Sequence, residues 1–333
     1  RKENNPLPSK EDNWIIRKKM NYLKDYREGE KFVGTYLCKQ KQILKTKAGK
    51  TYYSLTLQDK TGTADGKIWE LNNGIANFEP MDYIHCEGMV TSFQGNLQMN
   101  ISRVRISDEG EYDPADYVPC TNKDVGEMFS RILKYVASVQ NKYLRKILEM
   151  YFVENKEFVD AFKKHSAAKS VHHGFMGGLL EHTLSVTDMC QYFAEHYPMI
   201  HRDLLITAAL FHDMGKIQEI SDFPMNDYTD DGQLLGHIYI GARCMENAAA
   251  QIPNFPPKLK NELVHCILAH HGKMEFGSPK VPAIMEAMAL HMADNADAKL
   301  QTLTEVFTQA GDNMGWLGFN RMFESNLRKT SEE

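Results

Sequence analysis

In the segment Phe211-His212-Asp213-Met214-Gly215-Lys216, two residues of types that bind metal ions, His212 and Asp213, are followed closely by a glycine and a lysine. Upstream, residues 203–211 have apolar side chains three and four positions apart, which predicts a buried helix carrying His212 and Asp213 on its last turn. Gly215 is expected to end that helix in the left-handed conformation, which glycine adopts without penalty. An imidazole and a carboxylate shielded by a core suit a divalent metal, but two ligands are too few.

The other ligands are expected on neighbouring helices, because helical bundles build metal sites from side chains that project inward from facing helices. His and Asp residues on or beside apolar helical runs supply them. The candidate metal ligands are His182, His212, Asp213, His237, His270 and Asp294. His271 lies near the same apolar face as His270, so periodicity alone leaves the choice between these two open.

The order His, His-Asp, His, His, Asp over roughly residues 165–305 resembles the HD-domain metal-dependent phosphohydrolases. This resemblance implies a divalent metal centre in which Asp213 bridges two ions, and its Ile-x-x-His spacing favours His270 over His271. If fewer ligands bind, the site holds one ion. The implied ligands are His182, His212 and Asp294 for one ion, and His237 and His270 for the second.

The chemistry that such a site performs is phosphodiester hydrolysis, which needs a hydroxide nucleophile at neutral pH and neutralised phosphoryl oxygens. Two metal ions about 3.5–4 Å apart meet both needs. We predict Asp213 and Lys216 as catalytic residues, with Lys216 placed to neutralise a phosphate oxygen; an ordinary exposed lysine is the alternative. His172 and His173 lie on a Gly-rich loop before the helix of His182, where they are candidates for contacting substrate phosphate or for capping that helix.

Charge is distributed unevenly along the 333 residues. Residues 14–107 carry 15 Lys/Arg and 9 Asp/Glu, a net charge of +6, although the whole chain has a net charge of -5. The rest therefore carries about -11, and a basic front end favours nucleic acid as a partner.

The basic region contains about five short stretches with alternating apolar side chains, typical of β-strands. With its Tyr-x-x-Leu-x-Leu-x-Asp-x-Thr-Gly segment, the region over about 28–107 resembles the OB-fold. Such barrels bind single strands with stacking aromatics and a basic groove, each stacked base contributing about 1–3 kcal/mol. For each aromatic the alternative role is core packing. The predicted nucleic-acid-binding residues are Tyr36, Lys45, Lys47, Tyr53, Lys67, Trp69 and Phe93.

We therefore predict a multidomain chain, in which an all-β OB-fold barrel is followed by an all-α HD-domain helical bundle. The six cysteines form no C-x-x-C pair, no apolar run reaches the ~18 residues of a membrane span, and no secretory segment opens the chain. These features predict a cytoplasmic protein with reduced thiols and no membrane partner. The predicted parts are a flexible arm at 1–13, the barrel at 14–107, an acidic linker at 108–121 and the helical domain at 122–328.

An OB-fold before an HD domain, with the Gly-Gly-Leu-Leu-Glu-His-Thr segment at 177–183, resembles the YhaM-type 3′-5′ exoribonucleases. The resemblance implies a manganese-preferring enzyme that shortens single-stranded RNA, with single-stranded DNA as a further substrate; the polarity rests on the family alone. One alternative is a nucleotide or cyclic-nucleotide phosphohydrolase, which the missing Gly-Tyr-Pro signature after His271 disfavours. Another is a binding module with a structural site. The apolar segment 316–320 can dock on the helical body or on another subunit, so a homo-oligomer is a candidate assembly.

Overall fold

The computed structural model describes residues 21–93, 95–169 and 173–331. The chain divides into two compact units, the first ending at Val118 and the second beginning at Pro119. Each unit has a hydrophobic core of its own. The predicted flexible arm at 1–13 and the candidate residue His172 lie outside the described residues.

The first unit is a closed five-stranded barrel with the strand order β1-β2-β3-β5-β4. Strands β3 and β5 pair in parallel, and the other neighbouring strands pair antiparallel. This arrangement confirms the predicted OB-fold barrel. The strands are β1 (Lys31–Lys45), β2 (Thr51–Asp59), β3 (Gly62–Ile68), β4 (Tyr83–Phe93) and β5 (Asn96–Ile106).

The interior of the barrel is filled by alternate side chains of each strand, as the period of two requires. In β2, Leu55 and Leu57 are buried, and Tyr53, which shares their parity, packs edge-on against Phe78. Tyr36 of β1 is buried in the same core. The side chains at even positions of β2 therefore lie on the outer surface of the barrel.

The segment predicted as the linker, residues 108–121, is divided between the two units. Its first part packs on the barrel, where the Tyr112 ring stacks on Tyr83 with 4.1 Å between centroids. Its last residues pair with the helical unit, where the Thr121 backbone N–H donates to the Met176 carbonyl at 2.9 Å.

The second unit is helical, with nine α-helices and one β-hairpin within the described residues. None of the described helices combines the length and apolarity that crossing a membrane requires. The elements are α1 (Val125–Ser138), α2 (Lys142–Glu149), α3 (Lys156–Lys164), α4 (Gly178–His196), α5 (Arg202–Phe211), α6 (Lys216–Glu219), α7 (Asp230–Ala250), α8 (Pro257–Ala269), α9 (Met285–Gln309), β6 (Trp316–Asn320) and β7 (Ser325–Arg328).

Helix α5 is the predicted helix that precedes His212, and it lies at the centre of the core. All of its residues from Leu204 to Phe211 are buried, because its sequence is apolar on every face. It contacts α4, α8 and α9, the helices that carry or precede most of the other candidate ligands.

Gly215 has a different role from the predicted one. Helix α5 ends at Phe211, but Gly215 has a φ of -64°, which is right-handed, so the predicted left-handed cap is wrong. Glycine is needed there because of close packing: a Cβ would overlap the carbonyl oxygen of His237 and lie 2.8 Å from its carbonyl carbon. The absence of a side chain thus lets the His212-Asp213 segment approach α7.

Candidate metal centre

The six predicted ligands converge in the helical unit from five separate parts of the chain. Helix α4 carries His182, the turn after α5 carries His212 and Asp213, and the remaining ligands come from three other helices. His237 lies on α7, His270 directly follows α8, and Asp294 lies on α9. The bundle therefore brings together residues that are up to 112 positions apart in sequence.

One carboxylate oxygen of Asp213, Oδ2, faces the first group of ligands. The Nε2 atoms of His182 and His212 lie 3.3 Å and 3.4 Å from it. Asp294 completes this group, because its Oδ1 lies 3.2 Å from His182 Nε2. We call this group the Oδ2 position.

The other oxygen of Asp213, Oδ1, faces the second group. The Nε2 atoms of His237 and His270 each lie 3.6 Å from it. We call this group the Oδ1 position. The geometry separates the ligands into the same two sets that the family resemblance implied, with Asp213 between them.

The hydrogen-bond network assigns the protons of the four imidazoles. Each Nδ1 faces a carbonyl or carboxylate oxygen, which only accepts, so the proton of a neutral ring belongs on Nδ1 and Nε2 is left with a lone pair. The four Nε2 lone pairs then point toward the Asp213 carboxylate. The bonds run from His182 to Asp297 (2.7 Å), from His212 to Ala209 (2.8 Å), from His237 to Glu219 (2.9 Å) and from His270 to Ile267 (2.6 Å).

Several buried polar atoms at this point have no hydrogen-bond partner among the described residues. They include Asp213 Oδ1 and the Nε2 atoms of His237 and His270. Buried polar atoms are ordinarily paired, so unpaired acceptors that face each other indicate a site for a cation. Imidazole nitrogens and carboxylate oxygens suit a divalent transition metal, and the residues present therefore fit the metal that the fold implies.

The charge of the pocket supports the same conclusion. Asp213, Asp294, Asp297 and Glu219 contribute four carboxylates, and Lys216 contributes one ammonium group. With neutral imidazoles this leaves a net charge of -3 in a shielded pocket, which is costly without bound cations.

The shifts in pKa indicate which side chains of the pocket are charged. Burial raises the pKa of Asp213, but Lys216 and His212 outweigh burial and hold it well below its ordinary value. Burial lowers the pKa of His212 to about 4, so this ring is neutral at pH 7. Burial also lowers the pKa of His182, but the surrounding carboxylates raise it well above its ordinary value. A proton and a metal ion therefore compete for the Nε2 of His182.

His271 also reaches the Oδ1 position. A nitrogen of its ring lies within 4.8 Å of the ligand atoms of His237 and His270. Its Nδ1 lies 2.8 Å from the Phe276 carbonyl oxygen, and the residue is half-buried, whereas His270 is fully buried. The assignment of His270 as the ligand stays a prediction.

Lys216 is not an ordinary exposed lysine. Its side chain is 12% exposed, and its Nζ lies 2.7 Å from Asp213 Oδ2. Burial lowers its pKa, but Asp213 outweighs burial and raises it, so the group carries a positive charge at pH 7. The ammonium group stands beside the ligands of the Oδ2 position.

His173 is placed differently from the prediction. Its ring is buried, and its Nε2 donates to Asp297 Oδ2 at 2.9 Å, behind His182. A buried ring that bonds to Asp297 is placed unfavourably for the predicted contact with substrate phosphate.

Two carboxylates that bond to candidate metal ligands were not predicted from the sequence. Asp297 and Glu219 accept hydrogen bonds from His182 and His237. Asp297 could have been found, since it lies three residues after Asp294 and therefore on the same face of α9. Glu219 has no such signal.

The barrel presents an aromatic pair on its outer surface. Trp69 is 40% exposed, stacks on Tyr52 with 4.6 Å between centroids, and donates from Nε1 to Asn100 Oδ1 at 3.1 Å. Lys45 and Lys47 are exposed near the turn between β1 and β2. Phe93, at the end of β4, is 61% exposed.

Three predicted nucleic-acid-binding residues are placed unfavourably for contact with a strand. Tyr36 is fully buried and hydrogen-bonds to Tyr26, and Tyr53 faces the core, so core packing is the correct role for both. The charge of Lys67 is paired with Asp65 at 2.6 Å. The outward aromatic is Tyr52, which the parity of the buried Leu55 and Leu57 could have indicated.

Comparison with known proteins identifies similar sequences for both parts of the chain. Residues 179–299 match the HD domain family. The 3'-5' exoribonuclease YhaM of Geobacillus sp. (strain WCH70) is 32% identical over 77% of this chain and 78% of its own length. YhaM of Bacillus subtilis (strain 168) is 32% identical over 77% of this chain and 81% of its own length. YhaM of Listeria innocua is 32% identical over 85% of this chain and 90% of its own length.

The match with YhaM of Listeria innocua covers 85% of this chain and therefore extends across both units. The HD match, residues 179–299, includes all six candidate metal ligands. The chain belongs to the YhaM family of HD-domain proteins.

Proposed function

We propose that the protein is a metal-dependent 3′-5′ exoribonuclease that acts on single-stranded RNA, with single-stranded DNA as a further substrate. The observation that carries the proposal is the convergence of four Nε2 lone pairs on the Asp213 carboxylate. Substrate class and polarity follow from the relatives, which are named 3'-5' exoribonucleases.

The metal centre is proposed to hold two divalent ions, with manganese as the physiological metal. His182, His212 and Asp294 would hold an ion at the Oδ2 position, His237 and His270 would hold one at the Oδ1 position, and Asp213 would contact both. When bound, such ions supply an activated water and neutralise charge on the phosphoryl group.

Lys216 is proposed to stabilise negative charge that develops on a phosphate oxygen. Its ammonium group is held near Asp213 Oδ2, in a shielded pocket where electrostatic interactions are stronger than in water. In a Lys216→Met variant, kcat on RNA should fall about 100-fold or more, while manganese affinity should not fall. Reduced manganese affinity would instead make Lys216 a residue that supports the metal ligands.

The barrel is proposed to capture the nucleic acid strand. The Tyr52-Trp69 stack and Phe93 offer surfaces for bases, and Lys45 and Lys47 add positive charge.

The test of the proposed function is digestion of single-stranded RNA by the purified full chain with Mn²⁺. With a 5′ label, 3′-5′ removal of nucleotides gives a ladder of shortened labelled RNA, whereas a 3′ label is released at once as mononucleotide. Single-stranded DNA, mononucleotides and cyclic dinucleotides are offered in parallel. Cleavage of small substrates alone would support a nucleotide phosphohydrolase, and RNA binding without cleavage would support a binding module.

A further inference from the structure

The four imidazoles of the metal centre fall into two kinds according to the group that accepts their Nδ1–H. His212 and His270 donate to backbone carbonyls of the helical turn that precedes each of them. His182 and His237 donate to carboxylates, Asp297 and Glu219. A carboxylate partner makes an imidazole a more basic ligand than a carbonyl partner does.

The two kinds are distributed evenly between the two positions. The Oδ2 position contains His182, backed by a carboxylate, and His212, backed by a carbonyl. The Oδ1 position contains His237, backed by a carboxylate, and His270, backed by a carbonyl. Each position therefore has one carboxylate support of its own.

Asp297 is held firmly for this purpose. It is buried on α9, where its Oδ2 accepts from His182 at 2.7 Å and from His173 at 2.9 Å, and its Oδ1 accepts from the Ser185 hydroxyl. Ser185 lies one turn after His182 on α4. These bonds fix the carboxylate between α4 and α9, so His182 has one orientation.

Glu219 is held in a different way. Its Oε1 accepts from both Nδ1 (2.9 Å) and the backbone N–H (3.0 Å) of His237. The second bond exists because Gly236 interrupts α7 with a φ of 73°, which frees the N–H of His237 from the helix. One carboxylate oxygen therefore fixes both the ring and the backbone of this ligand.

We propose that Asp297 and Glu219 are positioning residues that set the metal affinities of the two positions separately, Asp297 through His182 and Glu219 through His237. The inference rests on the proposed metal centre and goes beyond it, because it assigns a distinct support to each ion. In this proposal each carboxylate acts through its histidine, without contacting the substrate or the metal itself.

The experiment is a calorimetric titration of the metal-free full chain with Mn²⁺, for the wild type, Asp297→Asn and Glu219→Gln. The wild type is expected to bind two ions, and each variant is expected to bind one of them about 10–100-fold more weakly. The coupled EPR signal of two adjacent Mn²⁺ ions should weaken in both variants at limiting metal. Thermal unfolding of the metal-free variants checks that they fold.

A double-mutant cycle assigns each carboxylate to its position. Glu219→Gln should have no further effect on Mn²⁺ affinity in a His237→Ala background, but should keep its effect in a His182→Ala background. Asp297→Asn should show the opposite pattern. The matched control is Glu181→Gln, a buried carboxylate next to His182 that bonds to Thr121 and Lys123 and to none of the four imidazoles in the described structure.

The inference is overturned if both variants weaken the same ion, if neither changes affinity, or if the wild type binds one ion. Its failure is distinct from failure of the proposed function. Degradation of RNA by a wild type whose carboxylate variants bind Mn²⁺ normally would remove only the inference. Normal results in the titrations without degradation of RNA or DNA would remove only the proposed exonuclease.

Discussion

Asp213 is the residue through which the two ligand groups are connected, since each of its oxygens faces a different pair of imidazoles. Oδ1 is buried without a hydrogen-bond partner among the described residues, whereas Oδ2 is paired with the Lys216 ammonium group at 2.7 Å. A buried oxygen without a partner is unfavourable for the stability of the metal-free protein, and a bound cation would offset this cost.

An Asp213→Asn substitution should lower RNA hydrolysis by more than about 100-fold, because outer partners of metal ligands alone already contribute about 10–100-fold. The amide keeps the shape but leaves the buried Lys216 ammonium group without its carboxylate partner, so the metal-free variant should be less stable than the wild type. RNA affinity should be unchanged, because the proposed capture surface lies on the barrel. Single-turnover assays, thermal unfolding and RNA titrations measure the three quantities.

The control for Asp213→Asn is His196→Asn, which changes an exposed histidine of α4. Its ring faces the Tyr192 carbonyl oxygen at 2.8 Å and stacks on the Tyr192 ring. This variant should hydrolyse RNA normally. An Asp213→Asn protein with wild-type activity would contradict the proposed mechanism.

The structure brings together the six candidate ligands that order and spacing in the sequence indicated. The six candidate ligands could be selected because each stands on or beside an apolar helical run. The carboxylates that bond to these ligands are harder to predict. Glu219 bonds to the ring of His237 next to the break in α7 at Gly236, and hydrophobic periodicity does not reveal such a break. Tyr53 was predicted to bind nucleic acid, but the parity of the strand turns it toward the core and turns Tyr52 outward.

At the level of elements, the segment around Gly215 and helix α7 pack unusually closely. A Gly215→Ala substitution should destabilise the helical unit by about 1–3 kcal/mol, because the new methyl group overlaps the His237 carbonyl. Pushing α7 away also moves His237 from Asp213, so manganese affinity should fall as well. Denaturant unfolding and calorimetry measure these effects.

Gly126→Ala is the matched control for this substitution. Gly126 lies in the first turn of α1, where a Cβ would lie 3.1 Å from Oδ1 of the N-cap residue Asp124 and would not overlap it. Alanine there should leave metal affinity unchanged and stabilise the helix by up to about 1 kcal/mol. Equal effects of the two alanine variants would show that packing at Gly215 is not special.

The outer face of β2 and β3 carries the aromatic pair. Trp69→Ala should weaken binding of single-stranded RNA by about 1–3 kcal/mol, because a stacking surface for one base is lost. Trp316→Ala removes an exposed tryptophan from the hairpin of the other unit and should leave affinity unchanged. Fluorescence anisotropy with labelled RNA compares the two, and equal losses would contradict the assignment of the capture surface.

For the whole molecule, the main feature is that the barrel and the helical unit have separate cores. The strands and the helices could both be predicted, because the spacing of apolar side chains changes along the sequence from a period of two to a period of 3.6. The boundary at Val118 is less visible, since the acidic segment before it resembles a linker but packs on the barrel through Tyr112.

A fragment of residues 119–333 should fold and bind manganese like the full chain, because all six candidate ligands and both supporting carboxylates lie within it. Its KM for long RNA should rise about 10-fold or more, with kcat on short oligonucleotides nearly unchanged, since the fragment lacks the stacking surfaces. Steady-state kinetics on substrates of two lengths test this. An unchanged KM for long RNA would show that the barrel does not capture the substrate.

The candidate ligands come from five separate parts of the chain, so metal binding should stabilise the helical unit. An ion held by ligands from α4, the turn after α5 and α9 would link three separate stretches of the chain. These stretches would then be less free to separate when the bundle unfolds. Ligand binding to the native state alone adds RT ln(1 + [L]/Kd), about 2.7 kcal/mol at a hundredfold excess over Kd. Chelation should therefore lower the melting temperature of the helical unit and expose it to proteases, while the barrel keeps its own melting temperature.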